Sequence, residues 1–157
     1  GMFSRVRLVE RDLPLERFVS RADFERNMRS LLTVLEADGV PVILMTQPFL
    51  FKDEMTPEER ATLWFGRTFC LSSTESLRSE YPSPRSLAAA MRAYNETVRV
   101  LAGEGENVML LEAESNLAKS LDNFTDDVHY TPVGARRLAT AVQEKIGQAG
   151  LIDAWLR

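Results

Sequence analysis

The sequence predicts an α/β fold built from βαβ units around a parallel sheet. Two observations carry this. The elements run helix, strand, helices, strand, helix, the order of crossover units in a parallel sheet. The two clearest strands, Val42-Ile43-Leu44-Met45 and the run NVMLLEA at residues 107–113, are unbroken apolar stretches. Strands buried on both faces look like this, whereas a half-exposed strand alternates. At 157 residues, with no internal repeat, low-complexity segment or linker, residues 2–157 read as one domain.

The elements follow in order. SRVRLVE at residues 4–10 alternates weakly and suits a third strand at an edge. Ser20 three residues before Asp23 is a helix-cap pattern, and Phe24, Met28, Leu31, Leu32 and Leu35 then share one helical face. Gly39 ends that helix, and Pro41 heads the first buried strand, where proline is tolerated. In TPEE, Thr56 is the cap, Pro57 the first helical residue and Glu59 the reciprocal acid. Residues 66–82, rich in serine and other polar residues, read as loop. SPRS opens a longer helix with Leu87, Met91, Tyr94, Val98 and Leu101 inward and Gly103 at its close. ESNLAKSL is a short helical piece leading into TDDVHY. Thr131 caps and Pro132 begins a last helix, with Leu138, Val142 and Ile146 inward.

Composition narrows the function. Hydrophobic residues make up 45% and charged residues 27%, ordinary for a folded chain. A net charge of -4 supplies no global basic field, so neither nucleic acid nor an anionic membrane surface is an expected partner. No apolar run is long enough to span a bilayer, and no signal-peptide pattern opens the chain. The single cysteine, Cys70, excludes an internal disulfide and fits a reducing compartment, so the cytoplasm is the expected location.

Ligands of open parallel sheets bind beyond the carboxyl ends of the strands. Here those ends are Thr46-Gln47-Pro48 and Glu112-Ala113, and the TDDVHY loop enters the last helix on the same edge. That loop holds the chain's one histidine, His129, three residues after Asp126. A carboxylate folded back onto an imidazole fixes its tautomer and stabilises the imidazolium, which suits His129 as general base with Asp126 as its orienting partner. Such a base contributes ~10²- to 10⁴-fold in rate. Asp127 is also near, but the three-residue offset favours Asp126. D-x-x-H is a frequent pattern, and a histidine before a helix can simply cap it or lie in solvent.

The context of the pair adds weight. DDVHYTPVGARRLATAV, behind a buried strand and a short helix, resembles the C-terminal block of the SGNH (GDSL-type) ester hydrolases, where D-x-x-H precedes a hydroxyl residue, proline, glycine and a final helix. FERNMRSLLTVLEADGVPVILMTQP is similar to that family's helix and penultimate strand, and YNETVRVLAGEGENVMLLEAESNL to its helix and last strand, although Glu112 stands where an aspartate is usual. The likeness covers roughly residues 18–147 and implies a flavodoxin-like three-layer α/β/α fold lacking its N-terminal strands. It implies Asp126 and His129 as two members of a Ser-His-Asp triad, acting on an ester substrate and requiring neither an organic cofactor nor a metal. Acyl, acetyl-sugar, phospholipid and thioester substrates would all use the same pair.

The family's GDS-type nucleophile block and G-x-N-D oxyanion block are not in this sequence. Without an oxyanion hole a further ~10² to 10³ in rate is missing. Ser72, Ser73, Thr74 and Cys70 are the nucleophile candidates within the chain; the hydroxyls also suit a surface loop, and Cys70 between Phe69 and Leu71 suits a small packed hydrophobe. Asp122, Asp126 and Asp127 with His129 offer too few nitrogen ligands for a convincing metal site. Met28, Met45, Met91, Phe24, Phe49 and Phe51 read as core or pocket wall, and Trp64 and Phe65 as lining either an acyl cleft or an interface. Three functions follow: a hydrolase whose missing half is carried by another chain or was lost because the reading frame starts late, a non-catalytic α/β binding module, or a hydrolase using a nucleophile of its own. A half-domain leaves Val42–Met45 with an unpaired edge, so a homodimer or higher oligomer is expected.

Overall fold

A computed structural model of the chain describes residues 7–64, 71–72 and 78–150. The fold is mixed α/β, with short parallel sheets and helices packed on them. In chain order the elements are β1 (Arg7–Arg11), a single tight helical turn (Leu15–Arg17), α1 (Arg21–Ala37), β2 (Val42–Met45), α2 (Pro57–Thr62), β3 (Leu71–Ser72), β4 (Arg78–Pro82), α3 (Pro84–Glu104), β5 (Val108–Leu111), α4 (Ala113–Asn116) and α5 (Pro132–Gln148).

The two apolar strands pair as expected. β2 and β5 run parallel in register from Val42 opposite Val108 to Met45 opposite Leu111. Leu44 packs with Val98, Leu101 and Ala102 of α3, and Phe24, Met28 and Leu32 of α1 close over the same cluster. Beyond the strand ends, Phe49, Phe51, Leu87 and Ala88 form a second cluster, and Leu50, Leu117 and Phe124 a third. Leu63 bridges these two.

A second sheet, in the order β1-β4-β3, corrects the reading of residues 66–82 as loop at Leu71–Ser72 and Arg78–Pro82, while 66–70 and 73–77 lie outside the described residues. β1 runs parallel to β4, and β3 antiparallel to it. β4 is hard to see in the sequence because RSEYP carries charge where a buried strand would be apolar. Its charges are used across the ladder: Arg11 Nε donates to Glu80 Oε1 at 3.1 Å. β1 lies at the edge of this sheet, separate from β2. Residues 4–6, the start of its expected range, lie outside the described residues.

Helix ends divide into those set locally and those set by distant partners. The Thr56 capping box forms in both directions, and Ser83 and Thr131 accept bonds from Ser86 N and Gly134 N. Ser20 does not cap α1; its hydroxyl is 2.6 Å from the Tyr94 hydroxyl of α3 instead. α3 runs past Gly103 to Glu104, with Gly105 as its C-cap. A Cβ on Gly105 would come within 2.4 Å of Val108 Cγ2, so the close approach of helix end to strand needs glycine there rather than at 103. The helix in ESNLAKSL is one turn only, because Leu117 turns inward against Leu50 and Phe124. Leu31, expected inward on α1, is exposed. Among the described residues no helix is long and apolar enough to cross a membrane.

Candidate active site

The carboxyl ends of β2 and β5 are tied into one platform. Thr46 N donates to Leu111 O at 3.0 Å, and Glu114 N donates to Thr46 Oγ1 at 3.0 Å. Asn95 of α3 reads Gln47 at both backbone groups: Gln47 N donates to Asn95 Oδ1 at 2.7 Å, and Asn95 Nδ2 donates to Gln47 O at 3.0 Å. Asn95 is buried, and its Nδ2 also reaches Glu114 Oε2 at 2.7 Å. The Glu112 carboxyl lies below the usual glutamate range, chiefly because Arg99 donates to it from two nitrogens at 2.7 and 3.0 Å.

The histidine loop sits against this platform. Phe124 and Tyr130 face each other in an antiparallel bridge, closing the segment between them into a tight turn. Thr125 N donates to His129 O at 2.9 Å across it. The loop is anchored at Asp127, whose carbonyl accepts from Leu50 N at 2.8 Å and whose buried carboxylate accepts from Trp64 N at 2.9 Å. On the exit side Thr131 N donates to Asn123 O, and Arg137 Nη1 donates to Asn123 Oδ1 at 2.6 Å. Gly134 presses against that Asn123 carbonyl, leaving no room for a side chain.

Within this frame Asp126 and His129 are in contact. Nδ1 of His129 lies 2.8 Å from Asp126 Oδ2 and 3.0 Å from Oδ1. Oδ1 also accepts from the backbone N–H of Val128 at 3.0 Å and of His129 at 2.9 Å. Partial burial raises the Asp126 pKa, but the His129 and Val128 amides and the imidazole outweigh it, and the carboxyl lies below the ordinary aspartate range. The carboxylate is therefore ionised at neutral pH and holds the Nδ1 edge of the ring. The His129 side chain is 64% exposed against 21% for Asp126, so Nε2 is the nitrogen offered to a neighbouring group.

Trp64 stacks beside the imidazole. The ring centroids are 6.1 Å apart and the planes 13° from parallel. α2 places it: Lys52 Nζ lies 2.6 Å from the buried Glu59, which also closes the capping box, and the chain leaves α2 through Leu63 into Trp64. Beside the loop, Val128 and Gln47 enter an apolar groove of about 570 Å³ whose walls include Phe24, Phe51 and Met91. Phe49 is buried beside Phe51, and Lys119 Nζ stands 3.0 Å from its ring centre.

Of the residues singled out from sequence, the structure brings together Asp126, His129 and Trp64. Asp127 points the other way, into the loop's anchor, and Asp122 contributes its carbonyl, to Thr131 Oγ1. Among the described residues no group of His, Cys, Asp and Glu is arranged to hold a metal. Cys70, Ser73, Thr74, Phe65 and the side chain of Ser72 lie outside the described residues. Sequence reasoning missed Asn95 and the bond from Gln47 Nε2 to the Tyr130 hydroxyl at 2.8 Å. Asn95 did leave a signal, a polar residue between Met91 and Val98 on the inward stripe of α3. No protein-family model, curated protein or solved structure matches the chain.

Proposed function

We propose that this chain carries the acid/base half of an SGNH (GDSL-type) ester-hydrolase site, on a flavodoxin-like three-layer fold. His129 is the general base and Asp126 its orienting partner. The observation that supports this best is the bonding of Asp126. Its carboxylate is fixed by two backbone amides and the imidazole Nδ1 at once, while the His129 side chain stays largely exposed. A hydroxyl nucleophile at Nε2 loses its proton to the ring as it attacks an ester carbonyl. The imidazolium so formed is stabilised by Asp126, then returns the proton to the leaving alkoxide. The apolar groove beside Val128 suits the acyl part of the ester. The nucleophile in this reading is Ser72, Ser73 or Cys70, or a serine on a complementing chain.

A second reading keeps the same geometry without catalysis. Asp126 accepts from Val128 N and His129 N as a turn-forming aspartate does, and that alone gives it a structural role in an α/β binding module.

Hydrolysis of a short-chain p-nitrophenyl ester by the purified chain, beside His129→Ala, separates the readings. Turnover that vanishes in the variant supports a complete site within the chain. Turnover regained only when a serine-bearing chain is added supports the complemented site. Turnover that His129→Ala retains, or none under either condition, favours the binding module.

A further inference from the structure

Three consecutive residues of β2, Ile43, Leu44 and Met45, line the same apolar groove with Phe24 and Met28 of α1. Successive side chains on a strand point to opposite faces. One groove can touch all three only by running along the strand's edge. Met45 also lines a second groove, of about 470 Å³, against Leu138, Val142 and Ile146 of α5. Apolar surface therefore flanks this edge of β2 on both faces of the sheet.

The edge itself is polar. Val42 N and Thr46 N donate toward β5, to Asn107 O and Leu111 O. The alternation of backbone groups puts the N–H and C=O of Ile43 and Met45 on the opposite side. Among the described residues no strand pairs there. These groups need partners wherever water is kept from the edge. A strand would satisfy them. The usable edge is short, since Pro41 has no N–H and Gln47 N is already bonded to Asn95. What remains is symmetric about Leu44.

We propose that a second copy of this chain pairs with the first along the free edge of β2, antiparallel about a two-fold axis at Leu44. Ile43 then exchanges bonds with the partner subunit's Met45, and Met45 with the partner subunit's Ile43, as an isologous interface requires.

α1 favours a second copy over an unrelated strand. It has no buried residue, and on one flank Arg29 is held by Glu104 of α3. Leu31, two residues on, lies roughly 200° further round, on the flank facing away from α3. Leu31 is 51% exposed and Val34 60%. Asn27 and Ser30 share that stripe, with Asp23 at its N-terminal end, so around a two-fold axis the flank offers Leu31 and Val34 to the same exposed apolar pair of a second copy. The two-fold axis also sets the two α1 helices antiparallel, each positive N-terminal end beside the other's negative C-terminal end.

The test is sedimentation velocity from low to high micromolar concentration, with amide hydrogen exchange at Ile43 and Met45. The comparison is the double variant Leu31→Glu, Val34→Glu, whose sites are exposed and whose fold circular dichroism verifies. The expected result is a dimer in which both amides are protected, with the variant monomeric and both amides exchanging fast. The proposal is overturned by a monomer at every concentration, by a dimer with fast-exchanging Ile43 and Met45, or by a dimer the double variant leaves intact. A monomer that binds decanoate in the groove, with no dimer forming, also overturns it and assigns the groove to an acyl ligand.

Discussion

The indole of Trp64 lies nearly parallel to the imidazole of His129, 6.1 Å between centroids, although 65 positions separate them in the chain. Their contact limits how the ring can turn about the axis that Asp126 sets. Because the chain has one histidine, its ring protons give a single set of imidazole signals in a proton spectrum. Trp64→Ala removes the indole ring current and shifts those signals by tenths of a part per million or more. Stacking of this kind contributes about 0.5–1.5 kcal/mol, so any His129-dependent turnover falls by up to ~10-fold. Unchanged imidazole signals in the variant would show that the two rings do not stack in solution.

Asp126 has two duties that different substitutions separate. Asp126→Asn keeps an oxygen for the Val128 and His129 amides but loses the charge that stabilises an imidazolium. Stability measured by urea unfolding stays within about 0.5 kcal/mol, while esterase turnover drops by as much as ~10⁴. Asp126→Ala removes the turn bonds as well and costs about 1–3 kcal/mol of stability. Equal stability loss in both variants would assign Asp126 a structural role alone.

Lys119 responds to alkaline pH. Burial pushes its ammonium down to about 8, against the pull of Glu114 at 3.3 Å and with help from Arg92. Because the folded pKa lies below the unfolded one, its contribution to stability is smallest below pH 8 and grows as pH rises toward the ordinary lysine value of about 10.4. Lys119→Met flattens that rise. Acetylation followed by mass spectrometry gives the direct measurement, with a labelling midpoint at Lys119 near 8. A midpoint shared by all lysines would refute the burial.

Gly134→Ala tests the seat of the last helix. The added Cβ would stand 2.2 Å from Asn123 O, a backbone atom that also accepts from Thr131 N. Relieving that overlap means moving α5 or the histidine loop, at a cost of about 1–3 kcal/mol. Thermal unfolding is expected several degrees lower, with the imidazole signals displaced as well. Gly147→Ala, on the same helix with nothing within 4 Å of the new Cβ, is the control and raises stability slightly.

What the sequence reveals depends on how far apart the partners are. β2 and β5 are legible because burial on both faces writes an unbroken apolar run. The caps at Thr56 and Thr131 are legible because donor and acceptor lie three residues apart. Asp126 and His129 are legible for the same reason. Ser20 fails as a cap because its hydroxyl finds Tyr94, a partner that only the packing of α1 on α3 supplies. β4 is invisible because its stability comes from β1, pairing across 71 positions, and its sequence needs no apolar pattern for that. The stack of Trp64 on His129 and the clamp of Asn95 on Gln47 likewise depend on tertiary distances that local spacing does not encode.

The helix α1 is 17 residues long and buries none of them. Helical propensity alone leaves a helix of that length marginal in water, so its order rests on Phe24, Met28 and Leu32 and on the Arg29–Glu104 pair. Such an element opens as a unit at a free energy below that of global unfolding. Each opening removes one wall of the cluster around Leu44 and Val98 while the platform of Thr46, Asn95 and Glu114 stays bonded. The histidine loop, tied to the end of β2 by Gln47 Nε2 at the Tyr130 hydroxyl and by Leu50 N at the Asp127 carbonyl, can thus remain assembled through excursions in which part of the molecule's apolar interior is briefly wet.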